Sequence, residues 1–473
     1  MSESTRVVAT ASASSSDGVP IPPLLPRWVV PVAGVVVFVG AGVVLVALWT
    51  WIDRLPLVDA ERKAGAQLDA IKIAASVLVA GGGLFALYLA ARRQRTQEQE
   101  LRVRHAELRH REAELAQRDR AQDDTRQDAE ARRITELYTK AGDQLGSDKA
   151  PVRLAGLYAF ERLAQDNPDR PGLRQTVVEV LCAYLRMPYT PPEDQPDEAP
   201  ERRQELEVRR TAQRILSLHL HPGPDPDKPV PTFWSDTDLD LTGATLVGFD
   251  LTGCRFRGAT FDRTSFRGQT RFEGTRFGAG ARFARATFAG PARFAGATFE
   301  GDARFDDATF SDDARFNKAT YGGKVWFDGA AFAADTRFDE VVFTGYSRFH
   351  AVSFGGDVRF DRTSFADVAW FFRASFEGGV RFDKAEFSGG SSFAKATFAG
   401  HARFGRAPSS GSASFEEVVL SDPFSLLSEW PPGWRTGDVQ IRLDHREGTW
   451  RRLVRSGDDH QPPAPRPSMP NVT

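Results

Sequence analysis

The chain is poor in the residue types that carry most enzyme chemistry. Its 473 residues include two cysteines, Cys182 and Cys254, far apart and in no CxxC pairing. That supports neither a disulfide framework nor a zinc site, and it fits a reducing compartment. His219 and His221 flank Leu220 with no Cys or Asp cluster at ligand spacing, so no metal is expected there. No Walker loop, HExxH, GxSxG or Gly-rich dinucleotide turn after a strand is present. The pairs Asp306-Asp307 and Asp312-Asp313 recur where turns call for Asp and Gly, so they read as turn chemistry rather than as catalytic carboxylates. The expectation is a non-enzyme with no cofactor and no metal. Net charge is also missing: 61 basic residues stand against 63 acidic ones, for a formal charge of −2. Such a balance makes no global field to attract nucleic acid or to imitate it.

Apolar residues, in contrast, are placed in two strong patterns. The first is a pair of long runs, 28–49 and 70–91, each of the ~20 residues that span a bilayer. Lys72, near the start of the second run, can snorkel. Residues 1–27, rich in Ser, Thr, Ala and Pro, are expected to be disordered. Arg92, Arg93, Arg95, Arg102 and Arg104 follow the second run. The 50–69 loop has only Arg54, Arg62 and Lys63, diluted by Asp53, Asp59 and Glu61. Basic flanks mark the cytoplasmic side, so the reading is a two-helix transmembrane hairpin with an extracytoplasmic loop and both termini cytoplasmic.

Beyond the hairpin, residues 92–131 are densely charged and free of Gly and Pro. Leu101, Leu108 and Leu115 recur every seven residues, which reads as a helical stalk or as the coiled-coil seam of a homo-oligomer. Residues 132–220 read as a small all-α domain with helices at 132–145, 152–164, 173–186 and 201–219. A Pro- and acid-rich loop spans 188–200, and a Pro-rich linker follows at 221–237.

The second apolar pattern is a lattice of phenylalanine. Twenty-eight of the 35 phenylalanines fall on it. The centres run Leu241, Leu246, Leu251, Phe256, Phe261, Phe266 in steps of five. From Phe283 the steps alternate five and six: Phe288, Phe294, Phe299, Phe305 and onward to Phe404. A small residue stands two places before each centre, as in Ala281, Ala286 and Ala292; Cys254 fills that slot before Phe256. Neither a helix at 3.6 residues per turn nor a flat strand at period two keeps such positions on one face. A fixed short period that fits neither is the mark of a solenoid.

The segment DLDLTGATLVGFDLTGCRFRGATF resembles the pentapeptide-repeat family, whose pattern is A(D/N)Lxx. The later ARFAGATFEGD units are similar to its phenylalanine-rich variant, with one residue added to every second pentad. The resemblance covers about 180 residues, 238–420. It implies a right-handed quadrilateral β-helix with four short sides per coil, hence 22 residues per coil where the steps alternate. The order of elements is similar to membrane-anchored actinobacterial members of the family. Residues 421–457 are expected to cap the open end, Phe233 and Trp234 the other, and 458–473 to form a disordered tail.

On that frame the outward positions sort into columns. One face carries Arg293, Arg315, Arg337, Arg359, Arg381 and Arg403 beside Asn317, Asp339, Asp361 and Asp383, an ion-pair ladder or an anion-binding strip. The opposite face carries Arg282, Arg304, Trp326, Arg348, Trp370 and Ser392 beside Asp306, Asp328, His350 and Phe372. Trp326, Arg348, His350, Trp370 and Phe372 are the candidate interaction face, unless the helical domain or the C-terminal segment folds over them. His401 falls on an outward or corner position and is expected to be solvated.

The leading reading is a bacterial, non-catalytic scaffold: the hairpin anchors it in the membrane and the rod offers its flat faces to a protein partner. Two alternatives remain. One is the DNA mimicry by which some family members modulate topoisomerases, which the 16 basic and 16 acidic residues between Ala281 and Phe404 oppose. The other is a membrane-linked sensor with 132–220 as its input.

Overall fold

The computed structural model describes residues 28–54, 60–192, 199–405, 413–425 and 427–457. The expectations for 1–27, the Ser/Gly-rich stretch 408–412 and the tail 458–473 lie outside the described residues, as do 55–59 and 193–198 of the two loops. The chain divides into two compact units, 1–127 and 128–473, and each is described by itself.

In the first unit, α1 (Val29–Asp53) is followed by the start of α2 (Ala60–Leu145). The stretches Pro31–Asp53 and Glu61–Gln94 are long and apolar enough to cross a membrane. The two helices run antiparallel and meet through small residues: Ala41, Ala70 and Ala74 are buried, and a Cβ on Gly81 would lie 2.5 Å from Val37 Cγ1. Small residues let helix backbones approach where lipid offers no hydrophobic drive. Lys63 pairs with Asp53 at 3.1 Å. Helix covers residues 50–53 and 60–69, which the sequence reading gave to a loop. Ala60, Glu61, Arg62, Lys63, Ala64, Gln67 and Leu68 are strong helix formers, and that propensity extends the helix beyond the apolar run. The separate helix expected at 132–145 is likewise the last part of the 86-residue α2, because nothing between 92 and 131 breaks it.

The second unit begins with the end of α2, then α3 (Ala150–Gln165), α4 (Pro171–Arg186) and α5 (Ala199–Leu220). Pro151 and Pro171 stand in the first turns of α3 and α4, where a missing N–H costs nothing. Leu157, Phe160, Leu181, Leu185, Ile215 and Leu216 form the centre of this domain. Gly156 sits close against the end of α2: a Cβ there would fall 2.7 Å from the Leu145 backbone nitrogen and 2.9 Å from the Ala141 carbonyl.

From Asp238 the chain winds into a four-faced β-solenoid of parallel two- and three-residue rungs. Pairing sets the coil length directly. Asp238 pairs with Gly258, a step of twenty; Arg255 with Arg276, a step of 21; Ala281 with Ala303, a step of 22. The coil lengthens as six-residue sides replace five-residue ones.

The backbone shows what the sixth residue does. Every described five-residue side from Phe272 onward turns through one residue in the left-handed region, among them Arg285 (φ 58°), Asp307 (φ 54°), Lys318 (φ 60°) and Ala351 (φ 51°). The six-residue sides after Phe272, Gly390 apart, do not. An extra residue lets the chain turn its corner with negative φ, which removes the αL cost at that corner.

Inside, each centre stacks on its equivalent one coil away. Phe283 and Phe305 lie 4.8 Å apart with ring planes within 1°, and Phe288 and Phe310 4.5 Å apart within 2°. Rings of neighbouring columns meet edge to face, as Phe283 does Phe294 at 5.6 Å and 88°. Both geometries suit the aromatic quadrupole. One ring departs from the pattern: Tyr321 sits between Phe299 and Phe343 with its hydroxyl buried and without a hydrogen-bond partner.

The ends are closed in different ways. At the start, two glutamine side chains of the helical domain act as substitute strands. Gln175 on α4 accepts from Asp238 N at 2.9 Å and donates to Asp238 O at 3.2 Å. Gln213 on α5 accepts from Val247 N at 3.3 Å and donates to Val247 O at 3.1 Å. A primary amide presents the same donor–acceptor pair as a peptide group, so each Gln satisfies one exposed rung. Trp234, fully buried, stacks on His219 at 4.0 Å, and the His219 ring nitrogens face Thr232 O and Glu161 Oε1. Phe233 is only partly buried, so the cap expected from Phe233 and Trp234 is chiefly Trp234 and the helices.

At the far end, Glu429 bridges Ala402 O and Phe404 N, and Trp430 covers the Phe404 ring at 5.5 Å. A hairpin of Trp434–Leu443 and Arg446–Arg455 adds antiparallel to the last rung, Val419–Ser421, and extends that face.

Candidate interaction face

Outward side chains are fixed by pairing register. On the first face, Arg282, Arg304, Trp326, Arg348, Trp370 and Ser392 are successive partners in one column. Asp306, Asp328, His350 and Phe372 stand two residues along on the same coils. The structure therefore brings all five sequence-predicted residues, Trp326, Arg348, His350, Trp370 and Phe372, onto three neighbouring coils of one face.

Their contacts are local. The Arg304 guanidinium lies 4.8 Å over the Trp326 ring. Arg348 pairs with Asp328 at 2.7 Å. His350 stacks on Phe372 at 5.5 Å, and Arg373 and Lys395 approach the Phe372 ring to 5.4 and 5.9 Å. The edge of Tyr346 meets Trp370 at 6.1 Å, yet Trp370 stays 43 % exposed. The helices α4 and α5 pack on the first rungs, and the hairpin extends the second face; neither removes Trp370 from solvent. Burial and the neighbouring Asp328 raise the Asp306 carboxyl above the usual carboxylate range.

Sequence reasoning did not single out Tyr346, Arg373 or Lys395. Arg373 and Lys395 occupy the left-handed corner position, which the five-residue side fixes two places after each centre. Tabulating that position would have found them.

The third face holds the all-arginine column, Arg293 to Arg403, in register. Here carboxylates interleave with guanidiniums. Arg381 pairs with Asp361 at 3.2 Å and Asp383 at 3.0 Å, and Arg315 with Asp313 at 3.5 Å. Burial and Asp361 raise the Asp339 carboxyl. These pairs have the form of the ion-pair ladder that the sequence offered beside an anion-binding strip.

Burial pushes the Cys182 and Cys254 thiols up to about 12, which disfavours the nucleophilic thiolate. Among the described residues no group of three or more His, Cys, Asp or Glu is placed to hold a metal ion.

Residues 251–298, 294–342 and 371–419 match the family model of pentapeptide repeats, with nine copies. No curated protein matches the chain. The solenoid continues in unbroken register through the unmatched stretch 343–370. That stretch holds Tyr346, Arg348, His350 and Trp370, whereas Trp326 and Phe372 lie within the matched residues on either side of it.

Proposed function

We propose that the pentapeptide-repeat solenoid is a non-catalytic docking rod, tethered to a bacterial plasma membrane, whose first face binds a protein partner. The observation that carries this reading is the cluster of Trp326, Arg348, His350, Trp370 and Phe372 with Trp370 open to solvent. Aromatic and arginine side chains dominate the energetic centres of protein interfaces, and a soluble rod gains nothing by exposing them. The phenylalanine-rich repeats and the preceding hairpin support a membrane-anchored, actinobacterial-type member. The arginines after the second apolar stretch support cytoplasmic termini. The balanced charge along the rod weighs against nucleic acid as the partner.

Affinity capture with the full chain in detergent tests this. Wild type is compared with a Trp326→Ser, Trp370→Ser, Phe372→Ser variant shown to be folded by circular dichroism. A protein retained only by wild type is expected. Identical capture by both would reject the face as the docking site.

A further inference from the structure

The docking face has a chemical bias and a spacing that together select a class of partner. The column Arg304, Trp326, Arg348, Trp370 consists only of side chains that donate hydrogen bonds and accept none. Neither the Trp326 nor the Trp370 indole N–H has a hydrogen-bond partner among the described residues. Each of these side chains is also planar, the indoles apolar and the guanidiniums charged, and Arg304 already lies over one face of Trp326. Such a column suits a ligand rich in acceptors, poor in donors and covered with apolar rings. A proline-rich segment has that composition: each proline supplies a carbonyl and a ring but no N–H.

Spacing gives an independent reason. Trp326 and Trp370 are two rungs apart in one column, with Arg348 between them. At a rung separation of about 4.8 Å their planes repeat at about 9.6 Å. The polyproline II helix repeats every three residues, at a rise of about 3.1 Å, or about 9.3 Å per turn. A proline helix laid along the column would therefore place equivalent rings on both indoles, with its intervening carbonyl above the Arg348 guanidinium. Two residues along, His350 stacks on Phe372 beside this column, and Asp328 pairs with Arg348 at 2.7 Å, which leaves other N–H groups of that guanidinium for the ligand.

Resting on the docking-rod reading, we propose that this face binds a proline-rich segment of a partner protein in the polyproline II conformation. Prolines suit such a surface because the segment is already ordered before it docks, which lowers the entropy cost of binding.

The test uses the full chain in detergent micelles and a fluorescently labelled oligoproline peptide, read by polarisation. Saturable binding is expected, about tenfold weaker for Trp326→Ala and for Trp370→Ala. A Gly/Ser peptide of equal length should not bind. The double exchange Arg348→Trp with Trp370→Arg keeps two indoles but sets them on adjacent rungs, about 4.8 Å apart. Binding should fall in that variant as well. Each variant is checked by circular dichroism, and Trp370→Phe, which keeps a smaller ring and removes the donor, should bind with intermediate strength. Unsaturable oligoproline binding, equal binding of the Gly/Ser peptide, equal binding by the exchanged variant, or preference for an acidic proline-free peptide or anionic vesicles would overturn the proposal. Failure here with a partner still captured through Trp326 and Trp370 would overturn the polyproline reading alone and leave the docking rod standing.

Discussion

Tyr321 is the most informative single perturbation in the solenoid. Its ring takes a phenylalanine place in a column, 4.7 Å from Phe299 and 5.0 Å from Phe343. Its hydroxyl is buried and has no partner. Burying a hydroxyl without a hydrogen bond costs about 1–3 kcal/mol. Tyr321→Phe removes that cost and leaves every ring contact in place; the vacated hydroxyl volume returns part of the gain. The net expectation is a variant more stable by about 1–2 kcal/mol. Denaturant midpoints of the two proteins, followed by near-UV circular dichroism, measure it. Alkaline pH sharpens the test. Burial raises the Tyr321 pKa well above 10, so the folded state keeps a proton that the unfolded state releases. Stability must then fall as pH rises past the unfolded value of about 10. The Phe variant should lose less over the same range. Tyr184, raised by burial and Glu205, leaves a residual slope in both proteins. A lower midpoint for Tyr321→Phe at neutral pH would refute the reasoning, because it would mean that the hydroxyl is hydrogen-bonded in solution.

Gln175→Leu and Gln213→Leu should each destabilise the start of the solenoid by about 1–2 kcal/mol, because a rung loses its donor and acceptor together. Hydrogen exchange should quicken at Asp238 and Val247 and stay slow in the later coils; unchanged protection would remove the Gln side chains from the cap. Ala351→Gly should raise the denaturant midpoint, by about 0.5–1 kcal/mol, since Ala351 holds φ 51° without a side chain that gains from it. Gly156→Ala should cost about 1–3 kcal/mol through the clash with the Leu145 nitrogen, read as a lower midpoint of the helical domain. Native-state alkylation should leave Cys182 and Cys254 unmodified at pH 8, and label both after denaturation.

The period of the solenoid was legible because every centre must enter the same narrow interior. One misplaced residue would turn a phenylalanine outward, so the lattice from Leu241 to Leu420 carries its own register. The outward columns followed from that register by counting, and Trp326, Trp370 and Phe372 stand where counting placed them. The Gln175 and Gln213 caps were not legible. A glutamine on a helix surface carries no sign of its partner, and the partner lies 63 residues away in one case and 34 in the other. The loop at 50–69 was too long in the sequence reading because hydropathy ends where the apolar run ends, whereas helix propensity continues through Ala60 to Leu68. The αL corners at charged residues such as Arg285 and Lys318 were equally hidden, since those residue types do not advertise positive φ.

The 22-residue coil also makes length a quantised property of this rod. Inserting or deleting one whole coil shifts everything downstream by a single graduation of about 4.8 Å and leaves each side chain on its own face. Half of that length, the five-plus-six unit, is the more radical change. It would preserve the buried lattice, because the centres repeat every eleven, yet carry every later outward residue to the opposite side. A chain built this way can therefore reposition a binding surface, along the rod or around it, by editing in units that its own interior cannot detect.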